Sequence, residues 1–198
     1  MAKVKLTKNE LKKQKDSLKR FQRYLPTLIL KKQQLQMVIR QVEAAVREIE
    51  NRRKELQEQL DRWIAVFGEE AELQDMLKIR YVSTDTGNIA GVDIPVFQSL
   101  EFQDIGYDLF IKPLWVDRGM EIIKKIAAMD AEIEILNRQI ELLGNELRIT
   151  TQRVNLFEKV KIPEAKEHIR IIQIYLGDQQ TAAVVRGKMA KNKIEKVK

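Results

Sequence analysis

The chain reads as a mainly α protein: a long antiparallel two-helix left-handed coiled coil carrying a small central β-hairpin insert. Three features of the sequence lead there. The first third carries a heptad seam, the last third carries a matching one, and the stretch between them is β-prone and punctuated by glycine and proline. In the first seam, apolar residues recur at seven-residue spacing as Phe21, Leu28, Leu35, Val42, Ile49, Leu56 and Trp63. A second series, Leu18, Leu25, Ile39, Val46, Leu60 and Phe67, completes an a/d pattern whose gaps are Lys32 and Arg53. A repeat of about 3.5 residues per turn is shorter than the roughly 3.6 of a straight helix, so a seam held this long requires left-handed winding around a partner.

The partner is expected within the same chain. From Ile122 the alternation returns as Ile126, Met129, Ile133, Leu136, Ile140, Leu143, Leu147, Thr150, Val154 and Phe157, with Thr150 as its single polar member. Two seams of similar length on either side of a segment of different periodicity fit an antiparallel hairpin of helices. An intermolecular dimer would satisfy the same pattern. A helix from about Lys8 to Phe67 would span roughly 90 Å at about 1.5 Å per residue.

Local signals set the elements in order. Thr7 followed by Glu10 forms a capping box, which starts the first helix near Lys8. Pro26 lies inside that helix and predicts a kink near Gln22 to Leu25. Gly68 is the expected C-cap after Phe67, and a short helix is expected over about Glu70 to Ile79. The insert then spans 81–118, with β-prone runs at Ile94 to Phe97 and Tyr107 to Ile111 bounded by turn residues. Two strands alone are marginal in water, so the hairpin must lean on the coiled coil or on another subunit. No seam position falls in the insert, so its removal is expected to leave the coiled coil folded. The second helix is expected from about 119 to 176. At Pro163 its apolar positions move one step out of frame, to Ala165, Ile169, Ile172 and Leu176, which predicts a bend or a break, and Gly177 and Gly187 weaken the remainder. The chain is thereby divided into 1–80 (the N-terminal coiled-coil helix and short helix), 81–118 (the insert) and 119–198 (the C-terminal coiled-coil helix and basic tail).

Composition agrees with long helices. Of 198 residues, 33% are charged, with eight Gly and four Pro, and the absence of Cys excludes disulfides and thiolate metal sites. The opening MAKVKLTKNE has no apolar core of a signal peptide, and no run of 18 apolar residues occurs, so a soluble, cytoplasmic protein is expected. Charge is uneven. Residues 1–20 hold eight Lys/Arg against Glu10 and Asp16, and residues 186–198 hold six against Glu195, which gives +6 and +5 in a chain of net +7. Antiparallel pairing would bring both ends together as one basic tip. Such a tip fits a solvated helix end or docking to an acidic partner or nucleic acid. No aromatic precedes Phe21 in it, so single-stranded nucleic acid lacks its usual stacking platform.

Catalytic signatures are missing. There is no phosphate-cradling GxxxxGK[ST], no GxGxxG and no HExxH. His168, the one histidine, reads as a partly buried helix residue. Glu69/Glu70 and Asp130/Glu132/Glu134 read as solvated carboxylates, and Met129 as a space-filling seam residue. No catalytic, cofactor-binding or metal-binding residue is assigned.

Three segments carry a family resemblance. RVNLFEKVKIP, with Arg153, Val154, Asn155, Glu158, Ile162 and Pro163, resembles the RVNALE-x-x-x-IP signature of the D subunit of V-type (A/V-type) ATP synthases. NIAGVDIP, with Gly91, Val92 and Pro95, resembles that family's GV-x-x-P stretch. The N-terminal LTKNELKKQKDSLKRFQRYLPTLILKKQQL is similar to the family's opening region. Order and spacing fit over roughly 5–176. The C-terminal YLGDQQTAAVVRGKMAKNKIEKVK departs from the acidic ERE-like stretch of many members.

The resemblance implies a non-catalytic rotor shaft. Its termini would enter a hexameric head built from the A and B subunits, the F subunit would bind its side, and its far end would sit on the ring-capping C/d subunit. No membrane insertion and no nucleic acid are implied. The complex would hold the chain at the cytoplasmic face of the membrane while ion flow is coupled to ATP synthesis or hydrolysis. Lys3, Lys5, Lys8, Lys12, Lys13, Lys188, Lys191 and Lys193 are the candidate head contacts. The alternatives are an unrelated coiled-coil scaffold or adaptor, which leaves the RVN/IP and GV-x-x-P matches unexplained, and a nucleic-acid-binding rod, for which charge alone speaks.

Overall fold

The computed structural model describes residues 4–61, 77–103, 105–106 and 115–197. In chain order the elements are α1 (Lys8–Asp61), β1 (Ile79–Ile89), β2 (Val92–Phe102), α2 (Val116–Leu156), a π-helical turn (Phe157–Lys161) and α3 (Ile162–Val197). The fold class is mainly α, with one two-stranded antiparallel sheet. Trp63, Phe67, Gly68, most of the expected short helix and the run Tyr107 to Ile111 lie outside the described residues.

Helix α1 opens as its sequence dictates. The Glu10 N–H donates to Thr7 Oγ1 at 3.2 Å, and the Leu11 N–H donates to the Thr7 carbonyl at 3.0 Å. The Glu10 carboxylate accepts from Gln14 Nε2 at 2.8 Å, so it faces along the helix. Pro26 is accommodated inside α1. It has no N–H to give the Gln22 carbonyl, and the nearby Thr27 hydroxyl donates to the Tyr24 carbonyl at 2.8 Å.

The chain divides into two compact units, Met1–Lys32 with Ile149–Lys198, and Gln33–Arg148. In the second of these, α1 and α2 run antiparallel. As α1 advances from Leu35 to Arg53, its contacts on α2 run back from Leu143 to Asp130. The core here has three contributors. Leu35 and Leu143, both 0% exposed, close over Ile94 of β2, and Val38, Ile39, Ile89, Ala90, Val92 and Leu147 pack around them. A second small core joins Val116 and Met120 to Leu77 and Trp115. The insert is therefore built into the helix pair, because two strands with one apolar face need a surface to bury it against. Its strands begin earlier than the β-prone runs suggest. Ile79, expected to end a short helix, opens β1 and pairs with Phe102.

The unit containing both termini is held by α1 before Gln33 and by the helical segment from Ile149 onward. Thr150, Val154, Ala165 and Ile172 are buried, and the Phe21 and Phe157 rings lie 5.2 Å apart at 38°. The second helical segment starts at Val116, before the expected 119. Neither a break at Pro163 nor an end near Gly177 is observed. The π-turn absorbs the frame step, and α3 continues through both glycines to Val197. Gly costs only about 1 kcal/mol against Ala in a helix. Around these two lie good helix formers and local bonds such as Gln179 Nε2 to Tyr175 Oη (3.3 Å) and Lys191 to Glu195 (3.8 Å).

Candidate functional site

No compact reaction site is assembled by the described residues; the chemistry-bearing positions are spread along helix faces and one turn. The seam is the first of them. Phe21, Leu28, Val42, Ile49 and Leu56 are half-buried and Leu35 is fully buried on α1. On the returning helix, Ile126, Ile133, Ile140 and Leu147 are half-buried, and Val154 is buried. By contrast Tyr24, Leu30 and Met37, outside the seam, are exposed. The Arg53 gap has a use: its guanidinium forms an ion pair with Asp130 of α2, with a second contact from Nη2 to Oδ2 at 3.4 Å, while Nη1 donates to Gln57 at 3.1 Å. A two-point guanidinium–carboxylate pair fixes direction and spacing as well as charge. By sequence alone Asp130 reads as one of several solvated carboxylates; the seam gap at Arg53 is the signal that could have singled it out.

The NIAGVDIP segment forms the tip and docking edge of the hairpin. Ala90 (φ 53°) and Gly91 (φ 79°) are both left-handed, as a two-residue turn matching strand twist requires. Asn88 braces it from the side, accepting the Gly91 N–H at 3.1 Å and donating to Asp93 at 2.6 Å. Val92 packs beside Ile94 on the helices. The carbonyl of Pro95 accepts from Gln139 Nε2 at 2.5 Å, and Gln139 is buried. Ile94 and Gln139, which lock the hairpin to α2, carry no periodic signal in the sequence.

The RVNLFEKVKIP segment coincides with the π-turn. Arg153, Asn155, Glu158 and Pro163 are exposed, Ile162 is half-buried and Val154 is buried. The Ile162 N–H reaches back five residues to the Phe157 carbonyl. A π-turn holds one residue more than an α-turn of the same rise. That extra residue accounts for the one-step change of frame between Phe157 and Ala165, which keeps Ala165 and Ile172 buried.

Both basic ends belong to one compact unit. Lys5, Lys8, Lys12 and Lys13 are exposed on the N-terminal segment, and Lys188, Lys191 and Lys193 on the last turns of α3. Lys3 lies outside the described residues. Lys12, Lys13, Lys19, Arg20 and Arg23 line one shallow, open groove in which Asp16 is the sole acid. From 177 to 196 every α3 residue is exposed except half-buried Ala182, and Val184 (71%) and Ile194 (65%) stand among the lysines.

Electrostatic perturbation is local. A hydrogen bond from Arg170 holds the Glu167 carboxyl below its usual range, and Lys125 does the same for Glu121. The Tyr81 hydroxyl, donating to Glu101 at 2.6 Å, has its ionisation pushed up by that bond. His168 is half-buried on α3. Among the described residues no helix is long and apolar enough to cross a membrane, and no group of His, Cys, Asp and Glu has the arrangement of a metal site.

Residues 10–192 match the ATP synthase D-subunit family. The chain is 54% identical to the V-type ATP synthase D subunit of Borreliella burgdorferi, over 99% of this chain and 97% of that protein. It is 34% identical to the V-type ATP synthase D subunit of Chlamydia pneumoniae, over 97% of this chain and 93% of that one. The corresponding Chlamydia trachomatis serovar L2 protein is 32% identical over 98% of both. With the two long seams, the tight GV-x-x-P turn and the RVN/IP segment all in place, this chain belongs to the ATP synthase D-subunit family.

Proposed function

We propose that this chain is the central-stalk rotor shaft of a V-type ATP synthase or ATPase, transmitting rotation between ion translocation in the membrane sector and ATP synthesis or hydrolysis in the head. The observation that carries the reading is the near-full-length likeness to the D subunits of V-type ATP synthases. The seam supports it physically. A shaft must resist twist, and interlocking side chains along two helices resist it better than either helix alone.

The chain contributes no chemistry of its own; nucleotide turnover belongs to the A and B subunits of the head. The three segments take separate tasks. Residues 1–80 and 119–198 form the shaft, and 81–118 stiffen its middle or help seat the F subunit. The ring-capping C/d subunit receives the end remote from the termini. The chain sits peripherally on the cytoplasmic face, held there by the complex. The terminal lysines, from Lys3 to Lys13 and Lys188 to Lys193, lie in the head cavity. There their long, mobile charges give a weak grip that tolerates rotation.

The test is reconstitution. Co-expressed with the A, B and F subunits, the chain is expected to co-purify with them, and a bead fixed to it should turn while ATP is hydrolysed. Recovery of an A/B/F complex that excludes the chain, or hydrolysis with no motion of the bead, would refute the assignment.

A further inference from the structure

In the unit that contains both termini, each helix is interrupted beside the same aromatic contact. Phe21 and Phe157 stack at 5.2 Å. The residue after Phe21, Gln22, has a carbonyl that Pro26 cannot serve, because proline has no N–H. Phe157 is itself the first residue of the π-turn, and Pro163 stands two residues after that turn ends. Two prolines and one surplus residue therefore bracket a single ring pair. Elsewhere α1, α2 and α3 run as regular helices.

The side chains around the interruption are loosely held. Leu156, Val160, Glu158 and Lys159 are exposed, and Lys161 reaches only its near neighbour Glu164 at 3.2 Å. The buried positions resume at Val154 on one side and Ala165 on the other. Tilted aromatic rings keep contact over a range of angles, since their attraction is broad and offset geometries are all favourable. An interlocked aliphatic layer has no such tolerance.

We propose that Pro26, the Phe21–Phe157 pair and the π-turn together form a built-in joint, the place where the paired helices bend and twist in preference to the regular seams on either side. Its geometry makes a definite statement about sequence. Deleting one exposed residue from the turn, such as Lys159, converts it to an α-turn. Phe157, Ile162, Ala165, Ile169, Ile172 and Leu176 then fall at strict four-three spacing and stay on the seam. Deleting Lys166 instead moves Ile169 and Ile172 off it. The joint is thus an optional feature of the fold that a one-residue change removes. That the compliance serves a turning shaft rests on the function proposed above.

Hydrogen exchange on the full chain tests the joint without reference to that function. In the native sequence, amides at 22–25 and 157–162 are expected to exchange about 100-fold faster than those at 143–154 and 165–172. The ΔLys159 variant should slow the 157–162 amides to the rate of their neighbours and raise the melting temperature. Pro26→Ala should do the same at 22–25, and ΔLys166 should lower the melting temperature. Uniform protection in the native chain, or destabilisation by ΔLys159 equal to that by ΔLys166, overturns the joint. Should ΔLys159 not fold, the native exchange profile and Pro26→Ala still decide. In the assembled ATPase, ΔLys159 with Pro26→Ala should narrow the angular spread of a bead on the shaft during its pauses. An unchanged spread in a complex that turns normally would refute the use of the joint, whereas a native complex that does not turn would count against the rotor reading.

Discussion

Ala90 is the one described residue other than glycine with a positive φ, at 53°. A Cβ in that region collides with the following carbonyl at a cost of about 1–2 kcal/mol. Ala90→Gly should therefore recover part of that strain, and urea unfolding should show a net gain of about 0.5–1 kcal/mol after the added freedom of the unfolded chain is subtracted. Gly91→Ala should lose about 1 kcal/mol from backbone strain alone, since open space surrounds the site where its Cβ would stand. Equal midpoints for all three proteins would show that the turn relaxes freely. Tyr81 offers a second measurement. Its bond to Glu101 favours the protonated phenol, so its ionisation lies above the ordinary value of about 10. A raised value means the contribution is present at neutral pH and is lost as pH climbs through the folded-state ionisation. Ultraviolet titration, read as the difference between the native chain and Tyr81→Phe, should place this phenol above its usual range, and Glu101→Gln should bring it down. A phenol that titrates identically with and without Glu101 would mean that the bond does not form in solution.

At the level of elements, the heptads made both long helices legible, because a seam of about 3.5-residue spacing arises from little besides helix pairing. The frame step before Pro163 was legible too, but proline was the evident suspect and the π-turn, which leaves no residue-type signature, was not. The hairpin was legible as turn chemistry; its docking was not, because periodicity marks apolar positions without saying which third element covers them. That docking changes the expectation for removing the insert. Ile94 covers Leu35 and Leu143, so a chain lacking 79–102 exposes both to water. Ile94→Ala should cost about 2–5 kcal/mol, in the range of buried aliphatic truncations. Gln139→Ala should cost about 1–3 kcal/mol by leaving the Pro95 carbonyl without its donor. Both are read by denaturant unfolding followed at Trp115, which packs on Val116 and Met120 in the same compact unit. If both variants unfold at the native midpoint, the hairpin is only tethered to the helices, and its removal would leave them intact after all.

For the whole molecule, charge placement and burial point the same way. Among the described residues the buried apolar side chains lie on the seam and in two small cores, while the net positive charge is concentrated at the two ends of the chain, both in one compact unit. Little of it is shielded among the described residues, since α3 beyond Leu176 is almost wholly exposed, Val184, Val185, Met189 and Ile194 included. An exposed ion pair contributes about 0–1 kcal/mol, so any one Lys→Ala change among Lys5, Lys8, Lys12, Lys13, Lys188, Lys191 and Lys193 should leave assembly and turnover of the complex unchanged. Acting together they have a field that extends about 8 Å at physiological ionic strength and is screened as salt rises. If the terminal lysines grip the head as proposed, removing residues 1–20 with 178–198 should weaken retention of the head and flatten its salt dependence, and the F subunit, proposed to bind elsewhere on the chain, should stay bound. Co-purification across a salt series measures both partners in one experiment. If the doubly truncated chain held the head with native salt dependence and native ATP turnover, the grip would have to come from elsewhere on the shaft and the basic ends would be left with solubility as their task.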